Sequence, residues 1–147
     1  MTVESSNIYP LGPDAITPDW QITSAGTFVG DWLDDLAGMA ALAAQVRFMF
    51  GTGGATVKVC LQSSMDQGTT AYDIAVVNFA TAPRTAIFEV AAMTTALVAP
   101  GEGGLNALGQ IEPEGIIAGV LGDRLRLKVL VTGTYQNTTL SARVMPI

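Results

Sequence analysis

Histidine is absent from the 147 residues. Its absence removes the imidazole base of Ser-His-Asp and Cys-His hydrolysis and every imidazole metal ligand. Cysteine is nearly absent. Cys60 stands alone, so there is no intrachain disulfide and no cysteine-built zinc site, and synthesis in a reducing cytoplasm is expected. Charged residues make up 14% of the chain, against about 25% in an average soluble protein. Basic residues are the scarcer sign, and none precedes Arg47. No basic stripe with interleaved aromatics exists, which argues against nucleic acid as a partner. Apolar runs stay well short of the ~18 residues of a membrane-spanning helix. Residues 1–11 have neither a basic n-region nor a long apolar h-region, so no secretory leader is expected.

What is present is a hydrophobic fraction of 49% and a net charge of −6. The charge is lopsided. Glu4, Asp14, Asp19, Asp31, Asp34 and Asp35 precede Arg47, and beyond it the basic and acidic residues balance. An acidic leading third suits docking onto a basic protein surface, or onto the chain's own basic strands. So sparse a charge coat has two readings: a small β-domain clothed in Thr, Ser, Gly and Ala, or a surface covered by other subunits.

The clearest local signal is Thr56–Ala80. Val57, Val59 and Leu61 alternate with Lys58, Cys60 and Gln62, the period of two that gives a strand one apolar face. Ser63–Thr70 supplies turn chemistry, and Ile74, Val76, Val77 and Phe79 resume the apolar character. The same alternation predicts strands over Ala41–Phe50, Thr85–Ala91, Arg124–Gly133 and Thr138–Met145, with shorter ones at Trp20–Ile22 and Thr27–Leu33. Thr94–Val98 is a weaker candidate, set among loops over Ala92–Asp123. Thr134–Asn137 reads as a hairpin turn. Pro10, Pro13 and Pro18 predict an extended arm over residues 1–19 that lies along the domain or reaches a neighbour. The expected fold is all-β: a single-domain, jelly-roll-like sandwich of about eight strands over residues 20–147, preceded by that arm.

The chemistry left to such a chain is carboxylate chemistry. Asp31, Asp34 and Asp35 are close enough in sequence for a divalent cation or an acid/base pair, but a solvated acidic turn is the stronger reading. Glu112 and Glu114 around Pro113 read as a solvated loop. Gly51, Gly53 and Gly54 lack the following helix and Lys-Ser pair of a phosphate loop. Cys60 reads as a small residue beneath a second layer. No catalytic residue, cofactor or metal site is expected.

Ser64-Met65-Asp66-Gln67-Gly68-Thr69-Thr70 resembles the Asp box of sialidases and related β-proteins, S-x-D-x-G-x-T-W. Ser64, Asp66, Gly68 and Thr70 match, while Ala71 replaces the aromatic and Tyr72 follows it. In that family the box is a hairpin staple rather than a catalytic element. A wider resemblance joins VKVCLQSSMDQGTTAYDIAVVNFATA to GVLGDRLRLKVLVTGTYQNTTLSARV. Together they are similar to small tailed-bacteriophage proteins with a Q-T-S-x-D-G-G-T-T-W-x-D-I-A hairpin and an L-G-D-R-L-R-V-K strand. Gln67 and Ala71 depart from that pattern at its second Gly and its Trp.

This resemblance implies a non-enzymatic virion structural protein made in the bacterial cytoplasm. The leading expectation is a capsid decoration (cement) protein on the major capsid protein lattice, working as a homo-oligomer without nucleic acid or membrane. Ile8, Tyr9, Leu11 and Trp20 would be its anchors, with the Ala92–Asp123 loops as a second contact region. A tail, neck or baseplate component and a carbohydrate-binding module, using Tyr72, Tyr135, Trp20 and Trp32, remain as alternatives.

Overall fold

Alternation of apolar and polar residues lets each strand bury one face, and two sheets facing one another satisfy all of them at once. A computed structural model of the chain describes residues 7–92, 114–116 and 121–147. The Thr94–Val98 candidate, most of the Ala92–Asp123 loops and Glu112 lie outside the described residues. The architecture is an all-β, single-domain sandwich, with every strand pairing antiparallel.

The strands are β1 (Tyr9–Pro10), β2 (Asp19–Ile22), β3 (Gly26–Val29), β4 (Ala41–Met49), β5 (Thr52–Gly53) and β6 (Thr56–Ser64). They continue as β7 (Tyr72–Phe79), β8 (Arg84–Ala91), β9 (Gly115–Ile116), β10 (Arg124–Thr132), β11 (Tyr135–Gln136) and β12 (Thr138–Pro146). One sheet runs β1-β12-β4-β8, with β2 also pairing β12; the other runs β3-β10-β6-β7-β9. Of the long strands, only β6 and β7 are neighbours in both sequence and space, so the expected central hairpin is the one local pairing among them.

Two expectations need correction. Thr134–Asn137 is more than a turn: β11 pairs β5 in a small third sheet, with Tyr135 opposite Gly53. Tyr135 is buried, sets its ring edge-on to Phe48 and Phe50, and donates its hydroxyl to Ala80 O at 2.8 Å. A side chain at Gly54 would collide with that ring, which is why glycine stands there. Next, the strand expected over Thr27–Leu33 ends at Val29, and Leu33 makes only an isolated bridge to Leu125.

The arm takes one of its two expected courses, lying along the domain. From Tyr9 the segment belongs to the sandwich: Tyr9 and Pro10 pair Val144 and Arg143, and Leu11 N–H donates to Ala142 O at 3.0 Å. Proline is tolerated because β1 is an edge strand.

The core lies between the sheets. Leu42, Ala44, Val46 and Phe48 of β4 meet Val57, Val59 and Leu61 of β6 and Leu125, Leu127, Val129 and Val131 of β10. A small void of about 10 Å³ lies beside Leu11 and Val59. Cys60 is fully buried against Val76 and Leu130 in a separate, smaller cluster. Burial pushes its thiol pKa up to about 12, with Asp73 adding to the rise.

Candidate functional site

The residues singled out in the sequence fall into a turn, a polar line behind it, and a set of surface positions. The turn closes β6 onto β7. Ser64 Oγ donates to Asp66 Oδ1 at 2.9 Å and accepts the Gly68 N–H at 2.9 Å. Asp66 Oδ1 also accepts the Thr70 N–H at 2.7 Å. These bonds hold the Asp66 carboxyl below its ordinary pKa, the Thr70 amide first among them. Gly68 takes φ +92°, open to glycine at little cost. A methyl group there would come within 2.7 Å of Trp32 Nε1. The indole that covers this turn therefore comes from the β3–β4 connection, not from position 71.

Trp32 leads into the polar line. The Arg126 guanidinium stacks over its ring at 4.3 Å and donates Nε to Gln62 Oε1 at 2.9 Å. Gln62 Nε2 in turn donates to Asp73 Oδ1 at 2.8 Å. Gln62 and Asp73 are buried, and burial lowers the Arg126 pKa. With both ends of the Gln62 amide satisfied, this is a stable buried linkage that ties β10 to β6 and β7. Its sequence signal was present as Gln62, Asp73 and Arg126 on polar phases of their strands, but their pairing required the register.

The four expected anchors separate. Ile8 is exposed at 44% and Tyr9 is half-buried, whereas Leu11 and Trp20 are only 3% and 5% exposed. Trp20 Nε1 donates to Leu11 O at 2.9 Å, so the two lock each other into the core. Leu11 and Trp20 are structural here, because the groups that would grip a neighbour already fill the sandwich.

Asp31, Asp34 and Asp35 are exposed, and no cluster of three metal-ligating side chains occurs among the described residues. Glu114 is exposed and lies outside the strands, as expected, but its carboxylate is engaged. It accepts Arg84 Nη1 and Nη2 at 2.5 and 2.9 Å and the Asn78 N–H at 2.8 Å, while Arg84 Nη1 also donates to Asn78 O. The pair thereby occupies the outward backbone groups of Asn78, near the end of β7 that β9 does not reach.

Of the aromatics proposed as sugar platforms, Tyr72, Tyr135 and Trp20 are buried, and Trp32 is half-buried with Arg126 stacked over its ring.

Sequence reasoning missed an apolar patch on the outer face of the β1-β12-β4-β8 sheet. Ile8 (44% exposed), Met145 (36%), Ile147 (64%) and Ile87 (73%) are four of the eight exposed large hydrophobics among the described residues. Register places Met145 opposite Ala43, and Ile8, Ala43, Ile87 and Met145 line one depression of about 320 Å³. Each of these strands buries its other face, so the patch is an apolar area on a face that also carries Gln45 and Arg143. The signal was Ile87 and Met145 on the polar phase of alternating strands.

No protein family, curated protein or solved structure matches the chain.

Proposed function

We propose that the protein is a non-enzymatic structural subunit of a tailed-bacteriophage virion, a capsid decoration protein seated on the major capsid protein lattice. The observation that carries the reading is the patch of Ile8, Ala43, Ile87 and Met145 on an otherwise polar sheet face. Scattered exposed apolar residues need no explanation, but contiguous ones mark surfaces that a partner covers. The hairpin and C-terminal strand resemblance supplies the virion context, and the low charge fits a tile covered by neighbours. Many symmetric copies would turn weak contacts into a firm shell by multivalency.

The contact thereby moves from the buried Leu11 and Trp20 to the outer sheet face, with Ile8 in the patch and Tyr9 packed against the core. The test is association with assembled particles. The wild-type chain should co-purify with particles in hundreds of copies, and Ile87→Glu with Met145→Glu should release it without lowering its melting temperature. Copy numbers in small multiples of three or six would place it at the neck or baseplate instead. A folded double variant that still binds would exclude this face.

A further inference from the structure

In the β3-β10-β6-β7-β9 sheet, β9 pairs only Ala75 and Val76 of β7. At β7 the Arg84–Glu114 pair takes the outward N–H and C=O of Asn78. At β3 nothing comparable stands. Gly30 N–H donates to Leu127 O, so strand alternation turns the Gly26 and Phe28 backbone groups toward β10 and those of Thr27 and Val29 outward. No described residue bonds to those outward groups, and all four residues of β3 are exposed. The strand Gly26-Thr27-Phe28-Val29 contains no charge, proline or bulge, the usual guards of a sheet edge.

Beside that edge, β2 and β3 bound a groove of about 510 Å³ where the flank of the sandwich stands open. Trp20, Ile22, Phe28 and Val131 line it, and Phe28 is 40% exposed although register turns it toward the core side. At the rim, the Asp19 side chain is 42% exposed; its Oδ1 is ion-paired with Arg143 Nη1 at 3.6 Å but accepts no hydrogen bond. Asp19 is the only ionisable residue lining the groove.

We infer that this flank is a strand-acceptor site, which takes an extended segment of a partner protein onto the β3 edge. The segment would hydrogen-bond to Thr27 and Val29, seat an apolar side chain between Trp20 and Phe28, and bring a lysine or arginine to Asp19. Strand addition draws affinity from main-chain bonds and specificity from pockets for alternate side chains. The basic preference follows from Asp19 and from the chain's net charge of −6. This inference does not rest on the virion reading, and it uses the flank rather than the sheet face.

The test uses the full chain and synthetic eight-residue peptides of alternating valine and threonine that carry either one lysine or one glutamate. NMR shifts should map to β2 and β3, and the Thr27 and Val29 amides should gain protection from exchange. Lysine peptides should bind at least about tenfold tighter than glutamate peptides, and Asp19→Asn should erase that preference. Val29→Pro, which removes an outward N–H and no ladder bond, should abolish binding while leaving the melting temperature in place. Should Val29→Pro prove unfolded, Phe28→Ala serves as the second variant and should weaken binding. Absence of binding across the peptides, or shifts mapping elsewhere, would overturn the site. Peptide-free dimerisation abolished by Val29→Pro would assign the edge to a second copy, and so overturn the partner proposed.

Discussion

Leu11→Ala and Ile8→Ala, three positions apart, should separate the core from the surface. Leu11 is 3% exposed and packs beside Ala44, Val59 and Leu127. Its backbone bonds to Ala142 O and from Trp20 Nε1 do not involve the side chain, so alanine leaves both in place. The loss is then purely one of packing. Removing three buried carbons costs about 2.4 kcal/mol at roughly 0.8 kcal/mol per methylene-sized group. The cavity left behind adds to that, bringing the total to about 3–4 kcal/mol, within the range of about 2–5 kcal/mol for such truncations.

Ile8, at 44% exposure, should change stability by no more than about 0.5 kcal/mol. Urea unfolding read by tryptophan fluorescence checks this, because Trp20 lies against the affected segment. Equal m-values with a large midpoint shift for Leu11→Ala alone are the expected result. A cost under about 1 kcal/mol for Leu11→Ala would refute the reasoning, since it would mean that the leading segment is not packed into the sandwich.

Three further predictions follow from single contacts. Gly68→Ala forces a side chain into φ +92° and against Trp32, and should destabilise by about 1–3 kcal/mol in the same melts. The Cys60 thiol, with its pKa at about 12, should resist a thiol-specific reagent at pH 8 until denaturant opens the sandwich; rapid native labelling would contradict its burial. Arg84 holds the Glu114 carboxyl below its ordinary pKa, so the stability it lends is present above the unfolded pKa and is lost as pH falls through the lower folded one. Both side chains are partly exposed, so Glu114→Gln should cost only about 0.5–1 kcal/mol at pH 7, and the difference from wild type should vanish in acid.

Much of the all-β character could be read directly, because alternation is a local property. Ala41–Phe50, Arg124–Gly133 and Thr138–Met145 match β4, β10 and β12 within a residue at either end. The Ser64–Thr70 turn was legible for the same reason: its donors and acceptors lie within four residues of one another. The apolar patch was not, since it forms only when β1, β12, β4 and β8 lie side by side.

The sequence by itself determined that this chain folds as strands, where most of them run, and that neither imidazole nor disulfide chemistry is open to it. Tertiary structure alone decided that Leu11 and Trp20 face inward while Ile8, Ile87 and Met145 face outward, that Trp32 covers a turn 36 residues further on, and that among the described residues no strand pairs the outer side of β3. The physical reason is that alternation tells only that a strand has two sides. Which side is covered depends on neighbours brought in from distant parts of the chain.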